Sequence, residues 1–256
     1  LNTQHSSESL TASIVKIAER AGVAIIRIQG GDLNIRHKED ASPLTLADEE
    51  ADQIITDALR KLTASIPIVS EESEHPKEAI DAPEFWLVDP LDGTKEFVAG
   101  RKEFTVNIAL IRNRVPVLGV VHAPALERTY YCDENTAYRS DSGGIKQIQV
   151  RSVSKSELVA VASRSHRDEE TNQFLERHAV TETVAIGSSL KFCLVAEGDA
   201  DIYPRFGPTM EWDTAAGDAV LRRAGGTMTT IDEKPFLYGK PDYRNPGFIV
   251  KGSIRN

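Results

Sequence analysis

Cysteine is nearly absent from this chain: Cys132 and Cys193 are the only two among 256 residues, and they stand far apart in apolar stretches. Two cysteines in a chain this long make no disulfide framework of the kind that holds small secreted proteins together. They read instead as two small core side chains in a reducing compartment. Long apolar runs are missing as well, since no stretch approaches the ~20 residues of a membrane span. Residues Leu1 to Ser7 are polar and lack the basic-then-apolar order of a signal peptide. The expectation is a chain with neither leader nor transmembrane segment. A surplus of positive charge is the third absence, because 30 basic residues face 39 acidic ones for a formal net charge of -9. A non-specific nucleic-acid binder needs the opposite sign, as its affinity comes from neutralising phosphates. An acidic chain that handles phosphates must therefore concentrate cations locally, as side chains or as bound metal.

What is present is a change of period along the chain. Ile14, Ile17, Ala18, Ala21, Ile25 and Ile28 recur at helical spacing, which predicts an amphipathic helix over about residues 9–29, ending at Gly30-Gly31. Ala51, Ile54, Ile55, Ala58, Leu59 and Leu62 predict a second helix after Ser42-Pro43. From about 66 to 138 short β-type runs replace them: Ile66–Val69, Phe85–Val88, Phe104–Ile111, Val115–His122 and Thr129–Cys132. Ser140-Asp141-Ser142-Gly143-Gly144 is the best turn or boundary candidate. Beyond it strands and helices alternate up to Gly225-Gly226. This order predicts an α/β (α+β) chain of stacked helix and sheet layers. Residues 1–140 would form a helix pair plus a mostly antiparallel sheet, and residues 141–256 an α/β half sharing an interface with it, where sites tend to lie.

Four acidic segments begin or end these elements: Glu71-Glu72-Ser73, Asp89-Pro90-Leu91-Asp92-Gly93-Thr94, Glu211-Trp212-Asp213, and Asp48, three residues after Thr45. Each has an ordinary reading alone, as a solvated loop, a turn, a helix cap or a first-turn acid. Converging on one cleft they cannot stay ionised unaided, since two carboxylates about 4 Å apart repel by roughly 4 kcal/mol at an effective dielectric of about 20. A hard divalent cation removes that cost, and oxygen-only ligands suit magnesium or manganese better than zinc. Pro90 stiffens the turn and frees the Leu91 carbonyl from a ladder. Gly93 permits close backbone approach, and the N–H groups of Gly93 and Thr94 would form an anion pocket beside the metals.

Glu71-Glu72-Ser73, the Asp89 to Thr94 segment, and Trp212-Asp213-Thr214-Ala215-Ala216-Gly217 resemble the three signatures of the inositol monophosphatase family of lithium-sensitive, magnesium-dependent phosphomonoesterases. The resemblance runs through essentially the whole chain and implies a layered α/β/α/β/α sandwich of the type shared with fructose-1,6-bisphosphatase. Within the family, Asp92-Gly93-Thr94-Lys95-Glu96-Phe97 is similar to the 3′(2′),5′-bisphosphate nucleotidase branch, where inositol phosphatases usually carry asparagine in place of Glu96. Gly187-Ser188-Ser189-Leu190-Lys191, Arg205 and His166 resemble that branch's nucleotide-contacting positions. By the same resemblance, Glu71, Asp89 and the Leu91 carbonyl hold one magnesium, and Asp89, Asp92 and Asp213 a second, with manganese able to substitute. Asp48 and Thr94 orient or deprotonate the attacking water, while Glu72 supports that water or a third ion. Glu71, Asp92, Gly93, Thr94, Lys95, His166, Ser188, Lys191, Arg205 and Asp213 are the implied substrate contacts.

The implied reaction converts adenosine 3′,5′-bisphosphate to AMP and phosphate, with its sulfated precursor as a further substrate, in recycling the by-product of sulfate assimilation. The implied setting is cytoplasmic, soluble or at most peripheral on the inner membrane's cytoplasmic face, as a monomer or homodimer. Three alternatives stay open at this point. An inositol or sugar phosphatase on the same scaffold needs changes only around Ser188, Lys191 and Arg205. A nucleotide-binding regulatory protein without turnover would keep the same carboxylates. An aspartyl-phosphate hydrolase requires one residue between its two aspartates, whereas Pro90 and Leu91 both intervene here.

Overall fold

The computed structural model describes residues 9–31, 33–37, 43–73, 75–80, 82–163, 168–178 and 180–255. Helix α1 (Leu10–Gln29) starts where the Ser9 side chain accepts from the Ala12 N–H, satisfying one of the free donors of a helix start. The short strands β1 (Arg36–His37) and β2 (Pro43–Leu44) pair before α2 (Leu46–Leu62). A reciprocal capping box between Thr45 and Asp48 opens α2.

A seven-stranded sheet follows in chain order: β3 (Ile68–Ser70), β4 (Glu84–Asp92), β5 (Thr105–Arg112), β6 (Val115–Ala123), β7 (Arg128–Cys132), β8 (Ala137–Asp141) and β9 (Gly144–Ile148), with the short helix α3 (Thr94–Val98) between β4 and β5. Only the β3–β4 pair is parallel. Strand β10 (Ser152–Ser154) pairs with the last strand, β16 (Ser253–Arg255). Between them lie β11 (Val159–Ser163), α4 (Glu169–Arg177), β12 (Glu182–Ile186), α5 (Leu190–Ala196), β13 (Ile202–Arg205), α6 (Ala215–Arg223), β14 (Thr227–Thr230) and β15 (Phe248–Lys251). These strands form a five-stranded sheet in the order β12-β11-β13-β15-β14.

The alternation of β4 explains the layering. Trp86 and Val88 point to one face, where they meet Ile14, Ala18, Ile25 and Ile55 of the helix pair. Phe85 and Leu87 point to the other, into a core shared with Phe192 and Val195 of α5, Ala216 and Val220 of α6, and Val161, Tyr203 and Val250 of the second sheet. Trp86 is wholly buried, worth roughly 2–3 kcal/mol of apolar transfer, and its indole N–H donates to Thr63 Oγ1 at 2.9 Å. Phe174 and Leu175 of α4 cover the far face of the second sheet against Ala160, Ile202 and Ile249. The result is helices, sheet, helices, sheet, helix: the sandwich that the sequence resemblance implied. At Gly119 a Cβ would lie 2.6 Å from the Ala216 carbonyl oxygen, so the approach of α6 to the sheet requires glycine there.

Two expectations are corrected. Residues 141–144 are the turn between β8 and β9, so the first sheet runs on to Ile148 and the change of sheet falls after it, not at 140. The segment from Asp89 does not follow its strand but lies within it, since β4 continues to Asp92. Asp89 pairs with Asn107 and Asp92 with Thr105, three steps on one strand against two on the other. Pro90 has no N–H to give the ladder, and a bulge is where a strand tolerates it.

Candidate active site

The bulge in β4 aims the acidic segment at a cleft. Asp89 is buried, with Oδ1 accepting from the Leu91 N–H at 3.1 Å. Gly93 adopts φ 93°, a left-handed conformation that turns the chain from β4 into α3. The Thr94 hydroxyl then lies 3.1 Å from the Leu91 carbonyl and 3.2 Å from Asp48 Oδ1. Asp48 Oδ2 accepts from the Thr45 N–H at 2.7 Å and its hydroxyl at 2.6 Å. A carboxylate so held has little freedom to do anything but face Thr94.

The Glu71-Glu72 loop is pinned from below by α2. Ser70 and Ser73 donate to the two oxygens of Asp52, at 2.5 and 2.7 Å, and the Glu71 N–H donates to the Val88 carbonyl. Asp213 comes from the other half of the chain. Buried Glu211 accepts from the N–H groups of Gly239 and Lys240, which fixes the turn before α6. Asp213 does not cap that helix, whose N-cap is Thr214; its Oδ2 accepts from the Met210 N–H at 2.7 Å.

Glu71, Asp89 and Asp213 bring carboxylate oxygens within 4.8 Å of one another. Burial first, then the charges of Glu71, Asp92, Asp213 and Glu72, hold the Asp89 carboxyl well above the usual carboxylate range. Burial, then Asp92 and Glu71, do the same to Asp213. Asp92 lies outside the close trio. Burial raises it too, opposed by Lys191 and by hydrogen bonds from Ser189 and Asn107. A crowded trio in which Asp89 and Asp213 resist ionisation fits a hard divalent cation with oxygen ligands. Glu71, Asp89 and Asp213 would hold it.

The same cleft has a cationic wall as well. Glu71, Asp89, Leu91, Asp92, Gly93, Thr94, Lys95 and Asp213 line a cleft of about 590 Å³ together with Ser188, Lys191 and Arg205. Lys191 and Arg205 are 7% and 8% exposed. Burial, only partly offset by Asp92, lowers Lys191 to about 8, and its ammonium donates to the Ser188 carbonyl at 2.5 Å. Ser188 holds φ 52°, a conformation a non-glycine residue adopts at some cost. Before it, a Cβ at Gly187 would lie 2.9 Å from the Glu103 carbonyl and 3.0 Å from Glu96 Cγ. Glu96 thus packs beneath the loop that carries Ser188.

Every expected site residue but one falls in or beside this cleft. Asp48 and Glu72 do not line it, but Asp48 accepts from the Thr94 hydroxyl and the charge of Glu72 bears on Asp89. His166 lies outside the described residues. The sequence reading missed Asn107, which holds Asp92 directly, and Asp168 and Tyr203, which also line the cleft. Ser189 stood within the quoted 187–191 segment without a role of its own, and its bond to Asp92 was not read. Nothing in the apolar run around Asn107 marks that residue out.

A model of the inositol monophosphatase family matches residues 6–252. The 3′(2′),5′-bisphosphate nucleotidase CysQ of Salmonella typhimurium is 47% identical over 241 residues, covering 93% of this chain and 97% of that protein. The protein of the same name from Escherichia coli K12 is 46% identical over the same shares. Among solved structures, CysQ from Bacteroides thetaiotaomicron, a bacterial member of the inositol monophosphatase family, has a TM-score of 0.85 at 36% identity. It covers 98% of this chain and 99% of its own. The chain belongs to the inositol monophosphatase family, whose members are metal-dependent, and its acidic trio is a site able to hold the metal.

Proposed function

We propose that this chain is a magnesium-dependent 3′(2′),5′-bisphosphate nucleotidase that hydrolyses adenosine 3′,5′-bisphosphate to AMP and phosphate and acts also on its sulfated precursor. The observation that carries the reading is a carboxylate wall and a buried cationic wall lining one cleft. A single phosphate needs only the first. A second phosphate on the same molecule gives Lys191 and Arg205 something to neutralise. The extensive identity to proteins named for this activity supports the same substrate.

In the reaction a water oxygen bonds to the 3′-phosphorus as the bond to the ribose 3′-oxygen breaks, and the water's proton ends on the leaving oxygen or solvent. Magnesium, when bound, lowers the pKa of the attacking water and neutralises charge on the attacking and leaving oxygens. Glu71, Asp89, Asp92, Asp213 and the Leu91 carbonyl would hold it as two ions, or three with Glu72 assisting. Thr94 and Asp48 form a hydroxyl–carboxylate pair that orients the water and takes up its proton. Gly93, Thr94 and Lys95 stand at the first turn of α3, where helix N–H groups lack intrahelical acceptors and suit a phosphate. Ser188, Lys191 and Arg205 bind the nucleotide's remaining phosphate and sugar, and His166 is a further contact by the family resemblance.

A cytoplasmic location belongs to the same proposal. No helix among the described residues is long and apolar enough to cross a membrane.

Phosphate release from adenosine 3′,5′-bisphosphate, its sulfated precursor, inositol 1-phosphate and fructose 1,6-bisphosphate tests the reading. The bisphosphate nucleotide is expected to have a kcat/KM at least 100-fold above inositol phosphate, with phosphorus NMR identifying AMP as the product. A preference for inositol phosphate would replace the substrate and leave the metal site standing.

A further inference from the structure

Two neutral side chains, rather than a cationic one, make the close hydrogen bonds to Asp92. Asn107 sits on β5 opposite Asp89 and is 1% exposed. Its amide nitrogen lies 2.9 Å from Ser189 Oγ and 3.3 Å from Asp92 Oδ2. Ser189, equally buried, places its Oγ 2.9 Å from the same Asp92 oxygen and 2.7 Å from the Asp213 carbonyl.

Counting protons fixes the roles. The amide has two, enough for Ser189 and Asp92 together; the hydroxyl has one, to share between Asp92 and the Asp213 carbonyl. The hydroxyl oxygen therefore accepts from Asn107 while donating onward, an arrangement in which each bond strengthens the next. This one oxygen joins an aspartate of the first sheet to the backbone of an aspartate that precedes α6. It also ends the loop that carries Ser188 and begins α5, the helix of Lys191. The amide's other end, Asn107 Oδ1, is buried with no hydrogen-bond partner.

We propose that Asn107 and Ser189 are positioning residues that clamp Asp92 at a fixed spacing from Asp213 and so set the site's affinity for its divalent cation. This rests on the reading that those aspartates hold the cation. The clamp acts on the metal and not on the nucleotide, so the two binding constants should separate.

The test is calorimetric titration of magnesium into chelator-stripped protein without substrate, for the wild type, Ser189→Ala, Asn107→Ala, Ser189→Thr and Asp92→Asn. Ser189→Ala is expected to weaken magnesium by about tenfold or more, the scale at which partners of metal-binding side chains act. Asn107→Ala should weaken it less, because the serine hydroxyl still reaches Asp92. Ser189→Thr, which keeps the hydroxyl, should recover most of the affinity. The magnesium concentration for half-maximal phosphate release should rise in parallel, while KM for the nucleotide at saturating magnesium changes less than threefold. Wild-type magnesium affinity in both alanine variants, with Asp92→Asn losing the cation, would overturn the clamp and leave the metal site intact. Equal binding by wild type and Asp92→Asn would overturn both. Should Ser189→Ala not fold, the Asn107→Ala titration alone decides between these results.

Discussion

The two walls of the cleft are built on opposite principles. The carboxylate wall is crowded in space: Asp89 and Asp92 share one bulged strand, Glu71 leads from its parallel neighbour, Asp213 comes from the other half of the chain, and their charges oppose one another. The cationic wall is sparse, with Lys191 on α5 and Arg205 at the end of β13, and both charges are buried. Crowded like charges gain from a cation that reaches all of them. Separate buried cations gain from a ligand with an anion to offer each. On the proposed function, the chemistry of the reaction and the choice of substrate rest on different side chains, so each should yield separately to mutation.

The largest effect should come from the acidic wall. Asp92→Asn is expected to lower phosphate release about 1,000-fold at saturating magnesium with an unchanged circular dichroism spectrum, since metal stabilisation contributes several kcal/mol. A variant keeping more than a tenth of the wild-type rate would break the division between the walls. Lys191→Met should act on the other side of it. KM for adenosine 3′,5′-bisphosphate is expected to rise about 10–100-fold, the scale of one lost charge-assisted hydrogen bond, while turnover of inositol 1-phosphate changes less than threefold. Equal losses for both substrates would show that Lys191 serves the chemistry.

A smaller effect is expected at Asp52, which touches no part of the cleft but ties down the Glu71 loop through Ser70 and Ser73. Asp52→Ala should lower stability by about 1–3 kcal/mol through the lost hydrogen bonds, measured by urea denaturation, and should weaken magnesium with little change in nucleotide KM.

The smallest and most diagnostic effect is one of pH. Without metal, Asp89 and Asp213 hold their protons more tightly in the folded chain than in the unfolded one. Their contribution to stability is present below the ordinary carboxylate range and is lost as pH rises through the raised folded values. The stripped protein should therefore lose Tm as pH rises above the ordinary carboxylate range, and the increment in Tm from added magnesium should grow in the same direction. A magnesium increment independent of pH would place the cation elsewhere.

How far the sequence could be read follows from the same contrast. The acidic wall was legible because its residues are of one kind and fall in short acidic segments at element ends, and both long helices were legible from their apolar stripes. The bulge was half-legible: Pro90 announced a break in the ladder but not that β4 resumes at Asp92. The turn at Asp141-Ser142-Gly143-Gly144 was visible while its meaning was not, because a hairpin and a domain boundary use the same residues. Strands β14 and β15 went unread, since Thr227–Thr230 and Phe248–Lys251 are short and their pairing is distant in sequence. Asn107 was beyond reach for a different reason. Its neighbours on β5 are apolar, and only the register that sets it opposite Asp89 reveals what it holds.

The most direct test of the account is a magnesium titration of phosphate release from adenosine 3′,5′-bisphosphate by chelator-stripped protein. The account predicts no turnover above background until magnesium is added, then full recovery, with AMP as the nucleotide product. Undiminished turnover in excess chelator would contradict it.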